Sequence, residues 1–162
     1  MAIEVEFTSV LGAAPEVVWD RVVRVTGAND ELWPFAKMTA PSFADRLTGP
    51  GNGRLPPFRS WFLLFGVFPV DRRTIQFEVL DEGRMIESSS SRLNGSWRHE
   101  RTVSTGIRGS TVLMDKLVIE SRGRLTDSLT RASLTYMFRR RHRRLRRHFA
   151  KAAARTHVLG TS

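Results

Sequence analysis

The chain has 162 residues, 41% of them apolar, which suits one domain with a real core and leaves too little for two. It has no Cys, which excludes disulfides, thiolate metal sites and a Cys nucleophile. The net charge of +10 belongs to one element: all 16 acidic residues and 16 of the 26 basic ones lie at or before Asp127, so residues 1–127 sum to zero and the excess follows them.

The most apolar run, Trp61 to Val70, is far short of the roughly 20 residues of a membrane span and runs into Asp71, Arg72 and Arg73. The opening MAIEVEF carries glutamates where a secretory signal would be basic and then apolar, so the expected location is cytoplasmic.

Ile3 to Leu11 alternates apolar and polar residues and predicts a half-buried strand. Pro15 opens a helix, PEVVWDRVVRV, with Val18, Trp19, Val22 and Val25 spaced for burial. Gly27 is expected to end it, with Asn29 or Asp30 capping a second short helix to about Lys37. Pro41 to Pro57, rich in Gly and Pro, allows a short strand over Ser42 to Leu47 and then reads as a mobile surface loop, the best lid candidate.

Five strands are expected next: Phe58–Phe65, Val70–Leu80, Arg84–Arg92, Ser96–Ser104 and Ser110–Ser121. Their separators, Gly66–Pro69, Asp81-Glu82-Gly83, Asn94-Gly95 and Gly106–Gly109, are turn-like, so the strands form an antiparallel meander. Thr126 to Ala154 has no Gly or Pro and predicts one long helix, with Gly160 beyond its end. Leu134, Phe138, Leu145, Phe149 and Ala152 form its apolar stripe, and Arg139, Arg140, Arg143, Arg144, Arg146 and Arg147 lie opposite. Leu129, Ala132 and Tyr136 add a second apolar side, so the first half is expected to be covered almost all round.

This order resembles the helix-grip fold of the START-like (SRPBCC) superfamily, which includes the birch pollen allergen, lipid-transfer domains and bacterial polyketide cyclase/dehydrase-type proteins. The resemblance rests on the opening FTSVLGAAPEVVWDRV, the hairpin SWFLLFGVFPVDRRTIQFEVLDEG, the pair SWRHERTV and GSTVLMDKLVI, and the closing MFRRRHRRLRRHF. It implies an α+β fold: an N-terminal strand, two short helices and a five- to six-strand meander, the curved antiparallel sheet wrapping a long C-terminal helix. Residues 1–155 are expected to form this single ligand-binding domain, with 156–162 as a flexible tail.

A helix held off a curved sheet leaves a cavity suited to an apolar or amphipathic ligand. The hairpin register puts Phe62 and Leu64 on the face carrying Ile75 and Phe77, looking toward Leu134, Met137 and Phe138; the plain alternative is that these side chains fill the interior. The Gly106–Gly109 turn sets Glu100 about opposite Asp115, with Arg98 diagonal. In the family the acidic residue of a TxxxD/E strand segment commonly points inward, and Thr111–Asp115 matches it, so the resemblance implies that Asp115, Leu113, Arg98 and Glu100 face the cavity. Counting through Asn94-Gly95 instead turns Trp97, His99 and Arg101 inward, and structural ion pairing is the plain role for any of these charges.

The resemblance leaves carrier and enzyme both open. In a cyclase or dehydratase, His99 with Glu100, or Asp115 with Arg98, would supply acid and base. His142, His148 and His157 have no spacing that pairs them with carboxylates, so no metal is expected, and no cofactor motif is present. The Arg-rich face reads as solvated, with an anionic membrane surface or an acidic partner as functional alternatives; nucleic acid is disfavoured because no aromatics interleave the arginines. Oligomeric state is not set by these patterns.

Overall fold

Alternation makes β1 (Ala2–Leu11) half-buried: Ile3, Ser9 and Leu11 are covered, while Glu4, Glu6 and Thr8 face water. The computed structural model describes residues 2–47, 55–81, 83–90, 96–120 and 124–159. The expected turn at Asn94-Gly95, the middle of the expected lid at 48–54, and Gly160 lie outside the described residues.

Pro15 sits in the first turn of α1 (Pro15–Val22), which buries Val18 and Val22 one turn apart. The chain breaks at Val23 and the extended Arg24, and α2 (Val25–Leu32) follows. Gly27 therefore does not stop a helix. It lies inside α2, where a Cβ would stand 2.2 Å from the Arg21 carbonyl oxygen, so only Gly lets the two helices approach this closely.

Nor does the second helix reach Lys37. Pro34 has no N–H to continue it, and Ala36–Met38 forms β2, which Asn29 secures by accepting from the Met38 N–H at 2.8 Å and donating to its carbonyl at 3.0 Å. The strand expected at Ser42–Leu47 is a 3-10 turn over Ser42–Ala44 with a single bridge between Arg24 and Arg46. Ala44, Leu47 and Leu55 are buried in the core, anchoring both ends of the segment around 48–54.

The meander runs through β3 (Phe58–Leu64), β4 (Phe68–Asp81), β5 (Arg84–Ser90), β6 (Ser96–Thr105) and β7 (Thr111–Glu120). Together they form a seven-stranded antiparallel sheet in the order β1-β7-β6-β5-β4-β3-β2, curled around α3 (Arg124–Leu159). The helix outruns its expected end, so residues 156–159 of the expected tail are helical. It rests on β1 and α2, with Phe138 stacked on Phe7 at 5.6 Å.

The register of β6 on β7 is one residue off the count through Gly106–Gly109, and the alternative facing, with Trp97, His99 and Arg101 inward, is the one found. Ser110 belongs to the loop, its hydroxyl donating to the Ile107 carbonyl at 2.7 Å, and Arg108 and Gly109 adopt φ of 56° and 74° to close Thr105 on Thr111. Arg101 thus stands opposite Asp115, and Glu100 opposite Lys116. A shift of one residue exchanges the faces of a strand. His99 and Arg101 are buried beneath α3, whereas Arg98 is exposed and Glu100 pairs at 2.7 Å with Arg84 on the outer face.

Candidate ligand cavity

A cavity of about 470 Å³ lies between the concave face of the sheet, α2 and the first half of α3. Phe62, Leu64 and Phe77 line it from the sheet, Leu134 and Met137 from the helix, with Leu32, Met38 and Met85 completing the apolar wall. Leu64, Val70 and Leu129 line it while remaining exposed, which marks its mouth. The charged lining residues are Arg73, Glu87, Arg101 and Arg141, with Thr130 and Ser133 of α3 as neutral polar ones.

Behind that lining, α2, β5, β6, β7 and α3 each contribute to one buried ionic network. Arg101, 1% exposed, donates to Asp115 through Nε at 2.6 Å and Nη2 at 2.8 Å, and to Glu31 through Nη1 at 3.2 Å and Nη2 at 3.1 Å. Arg141 donates to the same Glu31 at 3.0 Å and lies 4.7 Å from the Phe138 ring centroid. His99 Nε2 and His142 Nε2 each meet Asp115 at 2.9 Å. The other ring nitrogens meet Glu87 at 3.3 Å and the Ser9 hydroxyl at 2.8 Å. Charges this deep persist only when paired.

Asp115 receives four hydrogen bonds, two on each oxygen, which is the capacity of a carboxylate. Burial alone would raise its pKa, but the Arg101 charge beside it holds it well below the usual range. Glu31 is likewise pulled down against burial by Arg101 and Arg141, and Glu87 by His99. Burial would lower His99, but the charge and hydrogen bond of Asp115, with help from Glu87, raise it. A ring with one nitrogen on each of two carboxylates donates to both only as imidazolium. In that state His99, Arg101 and Arg141 balance Glu31, Glu87 and Asp115.

Two lining groups have spare capacity. Arg73 lies between the rings of Phe62 and Trp97, at 5.1 and 5.2 Å, and among the described residues its one acceptor is Asp71, bonded to Nε at 2.7 Å. Among the described residues Glu87 is bonded through Oε2 alone, to His99. The Trp97 indole N–H, buried in the same wall, has no partner among the described residues.

Of the residues expected at the cavity, Phe62, Leu64, Phe77, Leu134 and Met137 line it. Ile75, Leu113 and Phe138 are fully buried in the core, Asp115 lies in the network behind the wall, and Arg98 and Glu100 face away. The expected acid–base pairs are accordingly not assembled: His99 joins Glu87 and Asp115 instead of Glu100, and Arg98 is remote from the interior. His142, expected to lack a carboxylate partner, has Asp115. Nor is the first half of α3 covered all round, since Leu129 is 73% and Tyr136 60% exposed.

Glu31, Glu87, Arg73 and Arg141 were not among the expected residues. Arg141 had a local signal, because it falls three residues after Phe138 and four before Leu145, inside the apolar stripe. Glu31, three residues after Ala28 and beside Leu32, is the same kind of charge on a buried helix face.

The sheet wrapped on a terminal helix, with an interior cavity, defines the chain as a helix-grip, START-like (SRPBCC) fold. The aromatase/cyclase Zhui from Streptomyces sp. R1128 superposes with a TM-score of 0.65 at 18% identity, over 96% of each chain. A START superfamily protein from Mycobacterium smegmatis gives 0.61 at 13% identity, over 88% of this chain and 96% of that one. A Chromobacterium violaceum protein gives 0.67 at 13% identity, over 90% and 96%. The profile of a domain of unknown function, DUF8410, matches residues 9–149, and the chain belongs to that family. No curated protein sequence matches it.

Proposed function

We propose that the protein binds a small apolar or amphipathic molecule between the sheet and α3, with the molecule's polar group turned toward Arg73, Glu87 and Arg141. The observation that carries this reading is the open space itself: about 470 Å³ remains between a well-packed core and the helix, within the usual range for small-molecule sites. The apolar walls supply the driving force, and the charged inner side restricts which molecules fit without stranding a buried polar group. Native mass spectrometry of the purified protein tests this. A retained molecule, or one-to-one uptake of a fatty acid added to the unliganded protein, is the expected result; an empty protein that takes up none refutes it.

A second reading, a cyclase- or dehydratase-type enzyme in the same cavity, is favoured by Glu87. Glu87 lines the cavity, and His99, itself held by the saturated Asp115, bonds its Oε2. Such an arrangement suits a general base kept ionised by the imidazolium behind it. Glu87→Gln would then abolish turnover; a variant that turns over normally excludes Glu87 from the chemistry. Among the described residues no helix is long and apolar enough to cross a membrane.

A further inference from the structure

The β3–β4 hairpin ends in an apolar tip that no described residue covers. Phe65, Val67 and Phe68 are 50%, 65% and 63% exposed, and the turn is held by left-handed backbone at Phe65 and Gly66. Beside the tip, Phe35 packs at 6.4 Å from Phe65 and 5.9 Å from Tyr136, and Trp33 lies against Gly66. These residues form one continuous patch around the exposed cavity-lining residues Leu64, Val70 and Leu129. An uncovered aromatic patch of this size marks an interaction surface.

What adjoins it is cationic. Tyr136 also lines a hollow on α3 whose charged members are Arg131, Arg139, Arg140 and Arg143, with no acidic residue among its described walls. Arg140 bridges the two surfaces, lying 4.8 Å from the Phe35 ring centroid and donating to the Trp33 carbonyl at 2.9 Å. Among the described residues no acidic side chain pairs with the exposed Arg139 or Arg143. A protruding aromatic turn next to unpaired arginines matches the two-layer chemistry of an anionic lipid surface, where acyl chains accept the rings and headgroups accept the guanidinium groups. A flat acidic protein surface would pair the arginines and leave the tip unburied.

We propose that this face docks on anionic bilayers, with the hairpin tip in the acyl boundary, Arg139 and Arg143 at the phosphates, and the cavity mouth turned to the membrane. Arginines alone would leave attraction that salt abolishes, whereas the tip adds apolar burial, so the two parts are separable. An apolar molecule could then pass between bilayer and cavity without crossing water, but docking does not depend on the ligand reading and can be measured on unliganded protein.

The test is co-sedimentation with phosphatidylglycerol/phosphatidylcholine vesicles and with phosphatidylcholine vesicles alone. Wild type is expected to bind the former and not the latter. Phe65→Asn with Phe68→Ser, in which Asn tolerates the left-handed backbone, should weaken binding about tenfold or more. Arg139→Ser with Arg143→Ser should weaken it about thirtyfold at low salt. All four side chains are exposed, so both variants should keep the wild-type melting temperature. The proposal is overturned if wild type ignores anionic vesicles, if the tip variant binds undiminished, or if the patch instead holds wild type as a stable dimer that the tip variant dissolves into monomers.

Discussion

Arg141 and Arg143 stand two residues apart on α3 in opposite surroundings. Arg141 is 7% exposed, bonded to Glu31 and stacked on Phe138, while Arg143 is exposed on the hollow beside Tyr136. One helix thus carries two arginine populations: an inner one that fixes the cavity wall and an outer one available to whatever approaches the protein. Identical chemistry does different work because a step of two residues turns about 200° around a helix. The buried member is constrained by its partners; the exposed one is constrained by almost nothing.

The largest expected effect breaks the inner set. Arg101→Met leaves Asp115 and Glu31 buried with their main cation gone, and should cost about 3–5 kcal/mol in urea unfolding at neutral pH. Phe138→Ala removes the ring that packs on Phe7 beneath Arg141 and should cost about 3–5 kcal/mol by the same measurement. Gly27→Ala forces α1 from α2 and should cost about 1–3 kcal/mol. On the outer set, Arg143→Ala should change stability by no more than about 0.5 kcal/mol. If Arg143→Ala proved as costly as Arg101→Met in β6, the contrast between buried and exposed arginines would be wrong.

A pH profile sharpens the same contrast. The depressed carboxylates Asp115, Glu31 and Glu87 stabilise the fold above their unfolded values and lose that contribution as pH falls through their folded ones. His99 is raised, so its contribution is complete below its ordinary 6.5 and is lost as pH climbs through the folded value. Stability should therefore peak between the ordinary glutamate value of 4.5 and 6.5, and decline on both sides. Replacing His99 with Gln should flatten the alkaline decline and also shrink the acid limb by the share of Glu87, which His99 holds down, as followed by thermal unfolding across pH.

Alternation in β1, the turn-punctuated meander and the gap-free helix made the fold readable from the chain, because each signal is local. The apolar half of the cavity was also readable, since Phe62, Phe77, Leu134 and Met137 follow from strand and helix periodicity. The ionic side was left open between two facings of β6, and the one with His99 and Arg101 inward is the one found. Its assignment depended on whether Ser110 belongs to a loop or a strand, and that single residue decides whether Glu100 or Arg101 faces Asp115. Glu31 and Arg141 meet across 110 positions of sequence, and no local spacing reports such a meeting. Gly27 resembled a helix stop because close approach and chain termination both select Gly.

The account's central claim is that the space beneath α3 takes up a ligand, and filling that space tests it most directly. Met85→Trp combined with Met137→Trp projects bulk into the cavity from opposite walls, and fatty acid titration by native mass spectrometry compares the variant with wild type. Wild type should bind one molecule saturably, and the filled variant, with its cooperative melt retained, should bind none. Equal uptake by both proteins would contradict the claim.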